Sequence, residues 1–110
     1  MAIPYDSEEG REWAAVLSAL VGGQAQLTSA EIAEVKGAYL SFEQNRSFHL
    51  EVVEMHLQAC AKLPKKGQLS QASRLATKLW SEAKKIGVDH GYRNAQVSAI
   101  APTGTIGLVM

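Results

Sequence analysis

Near its C-terminal end the chain reads Pro102-Thr103-Gly104-Thr105, which gathers two hydroxyls and several backbone N–H groups into four residues. Small residues in a tight turn let the backbone come close to a ligand, and successive N–H groups beside hydroxyls suit a phosphate. A glycine between two threonines is also an ordinary turn, so the tetrapeptide alone does not separate the two uses. The approach to it has a clearer pattern. Val97, Ala99 and Ala101 alternate with Ser98 and Ile100, as in a short buried strand. Pro102 removes a donor and disfavours helical geometry at Ala101, so the strand is expected to end there.

Little else has the spacing that chemistry requires. Cys60 is the single cysteine, so no internal disulfide can form, and on a helix face it reads as a small buried hydrophobe. His49 and His56 stand seven apart, too far for an i, i+4 metal pair, and read as a solvated or half-buried helix face. With neither His-Glu-x-x-His nor Cys-x-x-Cys present, no metal ligand is assigned. Lys62, Lys65 and Lys66 around Pro64 form a basic loop that reads as hydrated. Asp89 and His90 are the acid–base candidates nearest the turn, but they fall in a helix-exit loop with nothing to orient them. Arg93 and Asn94 are read as fixing the start of the strand. No catalytic residue is assigned.

The elements that must carry the turn read as helices. Ser7 can cap a first helix with Glu8 and Glu9 in its opening turn and Trp13, Val16, Leu17, Leu20 and Val21 at helical spacing. Gly22-Gly23 is expected to stop it. Thr28 and Glu31 have capping-box spacing ahead of Ile32 and Val35, for a short helix that frays at Gly37. A third begins near Glu43 or Asn45, sets Phe48, Val52, Met55, Ala59 and Leu63 on one stripe, and ends before Pro64. The fourth starts near Ser70, buries Ala72, Leu75, Ala76, Leu79, Ala83 and Ile86, and closes at Lys84-Lys85 and Gly87. The expectation is a mainly α chain, a small bundle of about four helices over roughly 7–21, 29–37, 44–62 and 70–86. One short strand and turn follow over about 94–106, all within a single domain of residues 1–110.

Composition narrows the classes. With 46% hydrophobic residues in 110, the chain can bury one modest core. No apolar run approaches the roughly 20 residues of a membrane span, and Met1-Ala2-Ile3-Pro4-Tyr5-Asp6 lacks a secretory pattern, so a cytoplasmic location is expected. Eleven basic and eleven acidic residues cancel, which argues against nucleic acid as a partner. A lone strand followed by Ile106, Leu108, Val109 and Met110 would leave apolar surface exposed, and a homodimer through this tail is the expected remedy.

Arg93-Asn94-Ala95-Gln96 leading to Ile100-Ala101-Pro102-Thr103-Gly104-Thr105-Ile106 closely resembles a segment of the adenosylcobalamin-dependent (class II) ribonucleotide reductases. Pro4-Tyr5-Asp6-Ser7, Gly10-Arg11, Thr28-Ser29-Ala30-Glu31, Asn45-Arg46 and His90-Gly91-Tyr92 resemble the helical stretch before it, so nearly the whole chain is covered. The link Lys62 to Gln68 is shorter than the family's usual connection. The resemblance implies that Pro102, Thr103, Gly104 and Thr105 help hold the substrate's phosphates beside a catalytic barrel. It also implies a role in making deoxyribonucleotides for DNA synthesis, with adenosylcobalamin as the family's cofactor. Family members use a cysteine in an Asn-x-Cys-x-Glu motif and a second cysteine pair. Gln58-Ala59-Cys60-Ala61-Lys62 has neither flanking residue. The isolated chain is therefore expected to be inactive, to hold no cofactor and to bind a nucleotide diphosphate weakly at best. Its partner would be the remainder of a split reductase. The alternative is a stand-alone helical interaction or oligomerisation module.

Overall fold

Ser7 starts the first helix as its side chain accepts the Gly10 N–H at 2.9 Å, with Glu8 and Glu9 facing the positive helix end. The computed structural model describes residues 7–96, and in it this helix, α1, runs Glu8–Lys36 without a break. Gly22-Gly23 does not stop it, so one helix of 29 residues replaces the two expected over 7–21 and 29–37. The reason lies on the neighbouring helix. A Cβ on Gly23 would sit 3.0 Å from Leu79 Cβ and from Trp80 Cδ1, and one on Gly22 would sit 2.9 Å from Trp80 Cζ2. The pair makes room for a ring. Two interior glycines cost about 1 kcal/mol each against alanine, offset here by an indole only 4% exposed whose Nε1–H donates to Ala19 O at 2.9 Å. Thr28 accordingly lies mid-helix, where its hydroxyl accepts from Gln24 Nε2 at 3.1 Å instead of capping. Gly37, at φ 88°, ends the helix with its N–H on Ala33 O.

The second helix, α2, spans Phe42–Ala59 and tightens into a 3-10 turn, Cys60–Lys62, before Pro64. Its inward stripe is Phe42, His49, Val53 and Cys60. Of the expected stripe of Phe48, Val52, Met55, Ala59 and Leu63, Phe48, Met55 and Ala59 face outward, the first two 67% and 59% exposed, whereas Val52 is half-buried and Leu63 packs against the core. Two apolar stripes share this helix, and the rings that gather near Tyr92 select which one is covered. The third helix, α3, spans Leu69–His90 and buries Leu69, Ser73, Ala76, Trp80, Ala83 and Gly87. Ala76 and Ala83 are buried as expected, whereas Leu75 lies 49% exposed. Gly87 is passed through as well; the helix ends at Gly91, φ 77°, whose N–H bonds Gly87 O at 2.8 Å.

The longest contact runs between α1 and α3, and α2 packs on α3. The core joins Ala30, Phe42, Val53, Cys60, Ala76, Trp80 and Tyr92. Ser73 donates its hydroxyl to Pro64 O and so ties the α2–α3 connection to the start of α3. The described residues are thus mainly helical, with three α-helices in place of about four. Of the strand and turn expected over 94–106, residues 97–106 lie outside the described residues, and 94–96 form no strand. No described helix is long and apolar enough to cross a membrane.

Candidate functional site

Pro102, Thr103, Gly104 and Thr105 lie outside the described residues, so the site is described through the anchor from which the chain departs towards them. That anchor is built around Tyr92. Gly91 turns the chain at a positive φ that L side chains rarely adopt, and a Cβ there would meet Phe42 Cε2 at 2.8 Å and Ala38 Cβ at 2.9 Å. Tyr92 then folds back over Gly87, where a Cβ would collide with its ring. Its hydroxyl donates to Ala83 O at 2.9 Å, and the side chain is fully buried. The His49 ring stacks on it at 4.3 Å with planes 1° apart, while Phe42 presents an edge at 6.1 Å. Tyr39 and His49 Nδ1 share a hydrogen bond of 3.0 Å.

Backbone bonds complete the hold. Tyr39 N–H donates to Tyr92 O at 3.0 Å, Arg93 N–H to Ser29 O at 3.1 Å, and Asn94 N–H to Ser29 Oγ at 2.9 Å. The Arg93 guanidinium reaches Gly37 O at 3.4 Å. Arg46 ties the start of α2 to the end of α3: it forks onto Glu43 at 2.7 and 3.1 Å, donates to Val88 O at 3.1 Å and lies over the Phe42 ring. The same guanidinium lowers the Glu43 carboxyl below its ordinary range. Burial lowers the His49 pKa and raises those of Tyr39 and Tyr92, the last to about 12. Burial thus favours the neutral form of each of the three rings, and the cluster packs as a structural clamp.

The remaining candidates disperse. Cys60 is 2% exposed, and burial raises its pKa, against smaller opposing effects from the Thr77 hydrogen bond and the Lys65 charge. A thiol so placed is packing, not a nucleophile. His49 is buried, beyond the half-buried face expected, whereas His56 is exposed and stacks on Trp80 at 4.7 Å, with Nδ1 bonded to Val52 O. Among the described residues no group of three or more His, Cys, Asp or Glu could hold a metal ion. In the basic loop, Lys66 pairs with Glu12 at 3.8 Å and Lys65 Nζ reaches Cys60 O at 3.4 Å. Asp89 and His90 belong to the last turn of α3 and not to a loop, and His90 Nε2 lies 3.8 Å from Glu34. Ser29, Tyr39, Phe42 and Tyr92 were not assigned from sequence. The signal available was Gly87 and Gly91, one helical turn apart and followed by an aromatic residue.

With that geometry in place, the comparisons with known proteins become specific. The family model described as ribonucleotide reductase, barrel domain, matches residues 1–110. A vitamin B12-dependent ribonucleotide reductase of Rhodopirellula baltica is 40% identical over 110 residues, covering 98% of this chain and 10% of the relative. That of Agrobacterium fabrum is 41% identical over 128 residues, again 98% and 10%, and that of Streptomyces coelicolor is 38% identical over 107 residues, 96% and 11%. The chain thus spans about a tenth of the length of the curated relatives it matches.

Proposed function

The chain belongs to the ribonucleotide reductase barrel-domain family, and on that footing we propose that it forms the helical lead-in and the substrate-phosphate turn of a vitamin B12-dependent reductase. The intact enzyme would convert ribonucleotides to deoxyribonucleotides, and this segment would form one part of its larger barrel domain. Pro102, Thr103, Gly104 and Thr105 would offer backbone N–H groups and hydroxyls to the phosphates of the nucleotide. The observation that carries this reading is the family match over residues 1–110, with 40% and 41% identity to two vitamin B12-dependent reductases.

Chemistry at the ribose would be supplied elsewhere in the enzyme, since Cys60 is buried and lacks the flanking residues of the family's cysteine motif. Adenosylcobalamin supplies the radical when bound to such enzymes. His49 does not fit a cobalt ligand, because it is buried and enclosed by Tyr39, Phe42 and Tyr92. No step is assigned through the cofactor here. The remainder of the reductase would be the partner, in the cytoplasm where nucleotide pools are held.

The test is a chimera in which residues 1–110 replace the matching segment of the Agrobacterium fabrum reductase, assayed for nucleotide reduction with adenosylcobalamin. Activity is expected, and Thr103→Val with Thr105→Val should raise KM more than it lowers kcat. A folded chimera without activity rejects the reading.

A second reading, a helical interaction module, is favoured by one observation: the outward stripe of Phe48 and Met55 on α2. Light scattering on the full chain and on a form lacking Ala101 through Met110 separates the options. Loss of a dimer on deletion assigns self-association to the tail. A dimer that survives the deletion but is lost in Phe48→Glu points to α2.

A further inference from the structure

We propose that the outward face of α1 is a docking surface for the part of a reductase barrel domain that lies outside this chain; the inference rests on the reading of the chain as a reductase segment. α1 is apolar on two opposite sides. Inward it buries Val16, Leu27, Ala30 and Ala33. On the other side Leu17, Val21, Thr28, Ile32 and Val35 recur at steps of four, seven, four and three residues, the spacing of one helical stripe. Val21 is 65% and Val35 83% exposed, and Leu17 and Ile32 are exposed in the same row.

The middle of this helix also carries no charge. From Trp13 to Ala30 there is no Asp, Glu, Lys, Arg or His. α3 shows what a solvated face of the same molecule looks like, since Arg74, Lys78, Glu82, Lys85 and Asp89 are all exposed on it. A helix that is apolar on both sides belongs in an interior, and among the described residues only one side of α1 is covered. The polar groups of the outward stripe are prepared for cover: Gln24 donates to the Thr28 hydroxyl at 3.1 Å, so that hydroxyl keeps a partner when water leaves.

Family and length say what the cover is. The chain matches a barrel domain but spans about a tenth of the curated relatives, so most of a relative's polypeptide lies outside the matched segment and is available to meet this face. The face sets the chemistry of that surface. A charge brought against Leu17 and Val21 would be buried without a partner, so the opposing surface must be apolar and uncharged there. Ala14, Ser18 and Ala25 stand beside these two residues and keep the relief low, which lets another element approach α1 closely.

The test uses the chimera in which residues 1–110 replace the matching segment of the Agrobacterium fabrum reductase. Val21→p-benzoylphenylalanine is expected, on illumination, to cross-link within one polypeptide to peptides outside residues 1–110, identified by mass spectrometry. Lys78→p-benzoylphenylalanine, on the charged face of α3, should give no such link. Cross-links from position 21 that join only two copies of the chain, or none at all, overturn the inference. Val21→Glu provides a measurement without the bulky probe. It should leave the melting temperature of the isolated chain unchanged and lower that of the chimera. An equal loss in both would mean that Val21 holds the three helices together, and no loss in either would mean that the face stays in water; each overturns the inference. Activity keeps the two readings apart. An active chimera without the cross-link removes the docking surface and leaves the reductase reading, whereas a folded, inactive chimera with the cross-link does the reverse.

Discussion

Two places in the molecule solve one problem in the same way and to different ends. At the middle of α1, Trp80 lies over Gly22-Gly23 and donates to Ala19 O; at the end of α3, Tyr92 lies over Gly87 and donates to Ala83 O. In each case the carbonyl belongs to the residue four positions before a glycine, the acceptor of that glycine's own helical bond. A missing Cβ bares that carbonyl to a second donor and lets a ring settle on the helix surface. The Trp80 seat joins residues 61 positions apart and welds α3 to α1. The Tyr92 seat closes over nine positions and folds the departing chain back on its own helix. The first joins two helices. The second sets where the segment proposed to meet phosphate begins.

Breaking the seats should separate these roles. Gly87→Ala has the largest expected effect, since a Cβ there falls within the Tyr92 ring and the ring must leave a fully buried site. A loss of ~3 kcal/mol, after the gain in helix propensity, is expected in urea unfolding, with increased exchange of the Asn94 amide. Gly23→Ala should cost less, about 1–2 kcal/mol, because Leu79 and Trp80 at 3.0 Å can shift slightly. Its mark is a change in Trp80 fluorescence with the Asn94 amide still protected.

Tyr92→Phe keeps the ring and removes one donor, so roughly 1 kcal/mol should be lost near neutral pH. Its sharper signature is alkaline. The folded-state pKa of Tyr92 is raised to about 12 by burial, so its contribution is complete below the unfolded value near 10 and is lost as pH climbs through 10 to 12. Urea midpoints at pH 9 and 11 should draw closer in the variant, with a residual slope from Tyr39 and Cys60, whose pKa values burial also raises. The smallest effect is acidic. Burial depresses the His49 pKa, so stability is full above the unfolded value near 6.5 and declines as pH falls below it. His49→Gln should flatten the fall in midpoint between pH 7 and 5, and an unchanged slope would assign it to other groups.

Much of the helical content was legible because its signals are local. Ser7 with Glu8 and Glu9 announced the start of α1, and Pro64 the end of the α2 segment. Gly37 closed α1 at positive φ, as glycine after a periodic run suggests, whereas the last helix was expected to stop at Gly87 and ends at Gly91. Gly22, Gly23 and Gly87 carried the same local signal and meant something else, because a glycine that admits a ring and one that ends a helix look alike until the partner is known. The stripe of α2 posed a similar ambiguity: Phe48-Val52-Met55 and Phe42-His49-Val53 both have helical spacing, and only one could turn inward.

The residue order fixed the family, through the match over residues 1–110. Periodicity and capping specified helices because those interactions reach only three or four positions along the chain. What needed the folded molecule was every pairing across distance. Trp80 over Gly23, Tyr92 over Gly87 and Ser29 under Asn94 join elements with no shared sequence signal. Close packing chooses among such pairings by volume and by which buried donors find acceptors, and neither quantity is written in any single segment.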